Sequence, residues 1–224
     1  ESSWKATLSD KDSENHALQD QVSRLKEYQD RIEQEKEALR RANAENVKRL
    51  DDVISEKEEE IKFLRRKLGQ PKNHDEIAPW IAANFSDRLI MHQKAIDLLG
   101  EKSARSVDVD LICDALDFLA TDYWDRRYKR ITSDEMLTRC SQKYGRPFEV
   151  KPTGKTTIEF TPNEYKIKYH TNSQGHIIDS DLDYHLGVGN DPENLLRIYF
   201  LHDDVKKMIV VGSLPRHLRA VTIK

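Results

Sequence analysis

The amino-acid sequence predicts an α+β protein, in which a long N-terminal coiled-coil helix precedes a helical segment and an antiparallel sheet. Near the N-terminus, apolar residues recur in steps of three and four, as in a coiled coil. A helical period with more aromatic residues continues as far as Gly145. After Phe148 the period changes to two, and Pro, Gly and Asn separate the apolar runs. Helices followed by a run of strands are typical of α+β domains.

The N-terminal part of the chain contains a heptad seam over residues 17–69, after a poorly defined leader over residues 1–16. No Pro or Gly precedes Gly69. Steps of seven connect Leu18 with Leu39 and Val47 with Leu68, but the two series differ by one residue, which changes the local winding of a coiled coil. The predicted oligomerisation residues are Leu18, Val22, Leu25, Ile32, Leu39, Asn43, Val47, Leu50, Ile54, Ile61, Leu64 and Leu68.

Polar residues within this seam indicate how the helix associates. They are Gln29, Lys36, Asn43 and Lys57. Such residues weaken a coiled coil but select its register and oligomeric state, so we predict a parallel dimer of two copies. The alternatives are a single solvated helix and pairing with a helix of a different chain. A single helix is disfavoured because each surface ion pair adds only about 0.2–0.5 kcal/mol.

Composition excludes several classes of protein. The formal net charge of −3 is not that of a typical nucleic-acid-binding protein. No apolar run is long enough to span a membrane, and no signal peptide opens the chain. Cys113 and Cys140 have neither metal-binding nor disulfide spacing, so we predict a reducing, cytoplasmic location. Because the first residue is Glu1 rather than Met, we expect a piece of a longer protein.

A linker over residues 70–76 leads to a predicted globular domain over residues 77–224. Its helices are expected within residues 77–145, over 77–99, 108–130 and from Ser133 to Gly145, where Ser133 is a suitable N-cap. Its antiparallel sheet is expected within residues 148–218, with strands over 156–160, 165–170, 182–188, 195–202 and 207–212. Short turns at Asn163 and at residues 203–205 predict hairpins.

Alternation along these strands predicts one face against the helices and one open face. The open face is expected to carry basic and aromatic side chains that bind a protein or nucleic-acid partner. These residues are Lys166, Lys168, His170, His185, Arg197 and Tyr199, with Arg216 and His217 at the edge.

Three patterns suggest chemistry, but none predicts a catalytic, cofactor or metal site. Gly154-Lys155-Thr156 lacks the leading glycine of a phosphate-binding loop, and a strand is expected after it instead of a helix. Glu164-Tyr165-Lys166 has the form of a nuclease strand, but no well-placed Asp precedes it. The histidines of the strand region are expected to be scattered, because His202 has the opposite parity to His185.

The C-terminal region resembles two groups of bacterial proteins. The layout of three helices followed by a meander is similar to that of the messenger-RNA-cleaving toxins of the RelE and ParE group. The meander ends in Arg197-Ile198-Tyr199-Phe200 and Ile209-Val210-Val211-Gly212. This chain lacks the positive charge of that group. A second resemblance is to a C-terminal module of uncharacterised bacterial proteins, some of genome-defence type. The segments that carry it are Leu186-Gly187-Val188-Gly189, Asp191-Pro192, Arg197 to Phe200, Val210 to Gly212 and His217-Leu218. The second resemblance implies a bacterial, multi-domain parent protein.

These observations predict a non-enzymatic interaction protein. A parallel coiled-coil dimer would present two copies of an α+β recognition domain to a protein or nucleic acid. The alternative is a ribonuclease or nuclease that acts on phosphodiesters through Arg197, Tyr199 and His185.

Overall fold

This computed structural model describes residues 2–128, 130–171, 174–189 and 195–219. The chain divides into two compact units, Glu1–Arg65 and Arg66–Lys224. Asp191 and Pro192, which contribute to the second resemblance, lie outside the described residues, as does the end of the expected domain after Arg219. Among the described residues, no helix is both long enough and apolar enough to cross a membrane.

The first unit consists of helix α1 (Ser2–Leu68) as far as Arg65, and the last turn of the helix belongs to the second unit. α1 confirms the predicted long helix and includes most of the expected leader. Its ion pairs lie one turn apart, for example Arg40 with Glu37 and Lys57 with Glu60. The apolar seam positions are all exposed, from 45% at Ile32 to 89% at Leu68. A single copy of α1 therefore leaves its apolar stripe in solvent.

Helices account for the first part of the second unit. After a 3₁₀ turn at His74–Glu76 they are α2 (Ile77–Phe85), α3 (Gln93–Gly100), α4 (Val109–Phe118), α5 (Trp124–Arg127) and α6 (Ser133–Tyr144). A second 3₁₀ turn covers Ala104–Ser106, and a π-helical turn at Leu119–Tyr123 joins α4 to α5. The N-cap of α6 is Thr132 rather than the predicted Ser133, which is the first residue of the helix, and Gly145 ends the helix in the left-handed conformation.

The prediction of one helix over residues 77–99 is wrong. A short strand, β1 (Leu89–Met91), separates α2 from α3. Its three apolar residues pair in parallel with Ile209, Val210 and Val211. The His92 ring then caps α3 by accepting a hydrogen bond from the Lys94 amide. Pairing with a distant strand therefore overrides the local helical pattern.

The remaining strands are β2 (Glu149–Pro152), β3 (Lys166–Thr171), β4 (Ile177–Asp181), β5 (Tyr184–Val188), β6 (Leu196–Asp203) and β7 (Met208–Ser213). Five strands form one sheet in the order β1-β7-β6-β5-β2, and β3 with β4 forms a separate two-stranded sheet. Because β1 is parallel to β7, the larger sheet is mixed, and the prediction of a purely antiparallel sheet is wrong.

The strand predicted over residues 156–160 is also wrong. This segment forms a short helix, α7 (Lys155–Phe160), followed by α8 (Pro162–Tyr165). No hairpin is therefore built around Asn163. The β-branched residues Thr156, Thr157 and Ile158 favour a strand locally, but Ile158 packs in a buried cluster as part of a helix.

Both faces of the five-stranded sheet carry a core. On one face, Phe200 packs edge-to-face against Tyr123 of the π-helical turn, and Phe118 lies beside Phe148. On the other face lies a cluster contributed by α7, α8, β3 and the sheet: Ile158, Tyr165, Ile167, Leu182, Tyr199, Leu201 and Val210. The prediction of one fully open face is therefore wrong. Residues 156–170, predicted as strands of this sheet, pack over its second face instead.

Candidate functional site

A polar cleft of about 200 Å³ remains on the second face, beyond the end of its apolar cluster. Strand register builds it from two rows of side chains that cross β2, β5 and β6. In one row Glu149 pairs with Gly187, which pairs with Arg197. In the next row Lys151 pairs with His185, which pairs with Tyr199. Gly189, just after β5, completes the lining.

Gly187 provides the floor of this cleft. A side chain at position 187 would bring its Cβ within 3.1 Å of the Arg197 guanidinium carbon. The missing side chain therefore lets the guanidinium lie across β5. There Arg197 Nη1 donates to the carbonyls of Val188 (3.1 Å), Gly189 (3.3 Å) and Leu196 (2.9 Å), so the arginine also holds the end of β5.

The His185 imidazole forms the centre of the cleft. Its Nδ1 atom is buried and has no hydrogen-bond partner among the described residues. The ring lies 5.4 Å from the Tyr199 ring, tilted by 33°. Burial lowers the pKa of His185, and the positive charges of Arg197, His217 and Lys151 lower it further, since a second cation is unfavourable beside them. The ring is therefore neutral at neutral pH.

The mouth of the cleft carries an exposed ion pair on β2. Lys151 Nζ lies 2.9 Å from a Glu149 carboxylate oxygen, and more than half of each side chain is exposed. Exposed pairs of this kind contribute roughly 0–1 kcal/mol and rearrange easily. The ammonium group of Lys151 is therefore available to a ligand in the cleft.

The structure brings together four of the residues predicted for binding: His185, Arg197, Tyr199 and His217. Tyr199 contributes its ring but is only 2% exposed. It packs edge-to-face against Tyr165, so it separates the cleft from the apolar cluster. His217 lies near the site, with its ring 6.3 Å from that of Tyr199.

The other predicted binding residues lie elsewhere. Lys166 and Lys168 belong to β3 in the two-stranded sheet, where Lys166 pairs with Asp181 at 3.5 Å. His170, also on β3, contacts the Ser180 hydroxyl at 2.8 Å. Arg216 donates to the Ser103 carbonyl (2.8 Å) and the Ser106 hydroxyl, away from the cleft.

Sequence patterns missed Glu149, Lys151 and Gly187. Their alternation along one short strand is visible in the sequence, but its pairing with β5 spans more than thirty residues and carries no local signal. In the sequence, Gly187 belongs only to the run that carries the second resemblance. Its role depends on the guanidinium of a third strand, which sequence alone does not place.

The three chemical patterns of the sequence do not form sites. A helix does follow Gly154, contrary to the predicted strand, but α7 has only six residues. Glu164 lies in α8, where its carboxylate accepts the Arg219 amide (2.9 Å), whereas Lys166 lies in β3, so they do not share a strand. No group of three or more His, Cys, Asp or Glu residues within the described part of the chain could hold a metal ion.

His202 differs from His185 in its surroundings, as their opposite parity predicts. Its Nε2 atom lies 3.1 Å from the Tyr123 hydroxyl, and the rings of Tyr184 and Phe200 enclose it. Burial, together with the charge of Arg127, lowers the pKa of His202 to about 4. This histidine is part of the aromatic core, whereas His185 faces a cleft.

Comparison with known proteins found no matching family model, no similar curated protein and no similar solved structure.

Proposed function

We propose that this protein is a self-associating scaffold, in which α1 forms a parallel coiled coil with a second copy and thereby pairs two α+β recognition domains. The observation that carries the proposal is the exposed apolar stripe of α1. A helix of 67 residues gains little from its own polar surface. Burial of an apolar side chain stabilises by about 1.5–3 kcal/mol, so a seam of this length favours association strongly.

The charges beside the seam support a second copy as the partner. With Ile32 and Leu39 at d positions, Glu35 occupies a g position and Arg40 the following e position. In a parallel dimer, g faces the next e of the other helix, so Glu35 would face Arg40 of the second copy. With Ile61 at a and Leu64 at d, Glu60 and Arg65 form the same arrangement. Both arrangements place opposite charges together.

Pairing gives the α+β domains an advantage in binding. Two weak sites joined in one molecule raise the effective concentration of the second site after the first has bound. A repeated or polymeric partner, protein or nucleic acid, would therefore be held more tightly than by one domain.

The geometry favours this scaffold over the ribonuclease alternative. That alternative needs Arg197 and Tyr199 as groups that reach a substrate. The Tyr199 hydroxyl belongs to the interior of the domain, and burial raises its pKa.

The cytoplasmic location stays a prediction. It is supported by Cys113 and Cys140, which are both free and buried. The bacterial and genome-defence associations implied by the resemblance also stay predictions.

Two matched variants test the scaffold. Ile32→Lys places a charge in the seam, whereas Gln34→Lys adds the same charge two residues away, at an f position on the outer face. Multi-angle light scattering over a range of protein concentrations should find a dimer for the unchanged protein and Gln34→Lys. Ile32→Lys should shift the equilibrium towards monomer, because it buries an unpaired charge against the other helix. A monomeric unchanged protein, or equal association of both variants, would refute the scaffold.

A further inference from the structure

We propose that the cleft between β2, β5 and β6 is a binding site for the phosphate group of a phosphate ester. The site lies wholly in the α+β unit and does not depend on the association of α1. Its lining is polar: Glu149, Lys151, His185, Gly187, Gly189 and Arg197.

The cleft has the shape that a phosphate group requires. Two rows of paired residues on this face place Lys151 and His185 side by side in one row and Arg197 in the other, with its guanidinium over the backbone of Gly187. Because position 187 has no side chain, the guanidinium lies close against the strand and forms part of the cleft lining. A volume of about 200 Å³ accommodates a phosphate and part of the group esterified to it.

An unused hydrogen-bonding atom points to a ligand. Buried polar atoms in folded proteins nearly always have a partner, and each exception calls for an explanation. Among the described residues, His185 Nδ1 has none. His185 lines the cleft, so a turn of its ring would let this nitrogen, once it carries a proton, donate a hydrogen bond to a phosphate oxygen there.

The charges that face His185 favour an anion. β2 contributes Lys151 and Glu149, β6 contributes Arg197, and the segment after β7 contributes His217. Tyr199, also from β6, faces the ring as a neutral phenol, because burial raises its pKa. Lys151 and Arg197 outnumber the single carboxylate of Glu149, which is itself exposed and paired with Lys151. The cations that oppose protonation of His185 in the free protein would attract a phosphate, which charge-assisted hydrogen bonds then hold.

Binding and protonation are therefore coupled. An anion beside the imidazole stabilises its charged form, so phosphate should raise the pKa of His185. By linkage, protonation of His185 should tighten the binding of phosphate in a given charge state.

The test follows the His185 imidazole by NMR while inorganic phosphate is added to the full chain. His185→Gln assigns its resonances, and chloride at equal ionic strength is the reference for general screening. Phosphate, but not chloride, should raise the pKa of His185. An unchanged pKa, or equal shifts with the two anions, would overturn the proposal.

Three variants should affect phosphate binding differently: one weakens it, one strengthens it and one leaves it unchanged. Lys151→Gln should weaken phosphate binding several-fold, because it removes a cation from the cleft. Glu149→Gln should strengthen binding, because it removes the carboxylate. Lys168→Gln removes a cation from the two-stranded sheet and should have no effect. If Lys168→Gln weakens binding as much as Lys151→Gln, the response reflects net charge, and the cleft is not the site.

Two further probes distinguish the sources of the phosphate. A nucleoside 5′-monophosphate carries a phosphate monoester, and a short single-stranded RNA carries phosphodiesters. Binding of the monophosphate that equals or exceeds binding of RNA would assign a small-molecule ester. Tighter binding of RNA, weakened by Lys151→Gln and by salt, would assign a nucleic-acid backbone. Light scattering on the same samples reports the state of α1 separately, so loss of dimerisation and loss of phosphate binding are distinguishable.

Discussion

At the scale of single residues, glycines show how closely the elements of the α+β unit approach each other. Gly212 on β7 lies beneath β3 and the segment before β5. A Cβ at this position would lie 2.5 Å from Leu182 Cδ2 and 2.9 Å from Ile167 Cγ2. Both neighbours are fully buried members of the apolar cluster, so neither side chain can move away freely.

Gly212→Ala should therefore destabilise the protein. Overpacking a filled core costs about 1–3 kcal/mol, and we expect a loss in this range in the free energy of unfolding measured with urea. Gly100→Ala is the matched control: no heavy atom lies within 4 Å of its Cβ position, and the residue ends α3. It should leave stability unchanged or raise it slightly. Equal effects of the two variants would contradict the close approach of β3 to β7.

The same scale shows what alternation can predict. It places His185, Arg197 and Tyr199 on one face, and strand register confirms this. It does not reveal what covers that face. Tyr199 is buried because Tyr165 and Ile158 lie over it, and both belong to helices in a stretch whose β-branched residues favour a strand.

At the scale of elements, buried charges fix the helical part of the α+β unit. Asp117, near the end of α4, is 2% exposed. Its carboxylate accepts hydrogen bonds from Arg66 Nε (2.9 Å) and Nη2 (3.1 Å), and from the Tyr144 hydroxyl (3.3 Å). The Arg66 guanidinium also lies 5.1 Å above the centre of the Phe85 ring. One carboxylate therefore joins residues from α1, α4 and α6.

Asp117→Asn should unfold the protein more easily. The variant removes one partner of a buried ion pair and leaves the Arg66 charge without compensation, which costs about 3–5 kcal/mol. The control, Asp75→Asn, removes a carboxylate that lies 3.9 Å from Arg105 in an exposed pair, and should change stability by less than about 1 kcal/mol. Thermal and urea unfolding measure both. A small effect of Asp117→Asn would mean that this buried ion pair stabilises the fold no more than an exposed pair does.

Elements differ in how far local patterns determine them. Periodicity predicts α1, α4, β5, β6 and β7, because each has a clear apolar pattern of its own. Ser133 and Gly145, as capping residues, predict α6. β1 and β2 do not, since they have three and four residues and depend on distant partners. β2 carries the lysine and glutamate of the cleft, so the sequence predicts only the residues that β5 and β6 contribute to it.

At the scale of the whole molecule, the seam of α1 determines what a second copy would meet. Asn43 lies where the two heptad series join, at the last a position of the first series. In a parallel dimer with both chains in register, each a residue faces its own counterpart, so Asn43 would lie opposite Asn43. An antiparallel or staggered pair would bring different residues together.

Replacing Asn43 by cysteine therefore tests orientation as well as association. Asn43→Cys should form an intermolecular disulfide on mild oxidation, visible as a dimer on non-reducing gels, because facing a positions lie within disulfide distance. Arg41→Cys, at an f position on the outer face, is the control and should stay monomeric on the same gel. Cys113 and Cys140 should not interfere, since both are fully buried and burial raises their thiol pKa values. If light scattering detects a dimer but Asn43→Cys fails to cross-link, the pairing would stand and its parallel register would not.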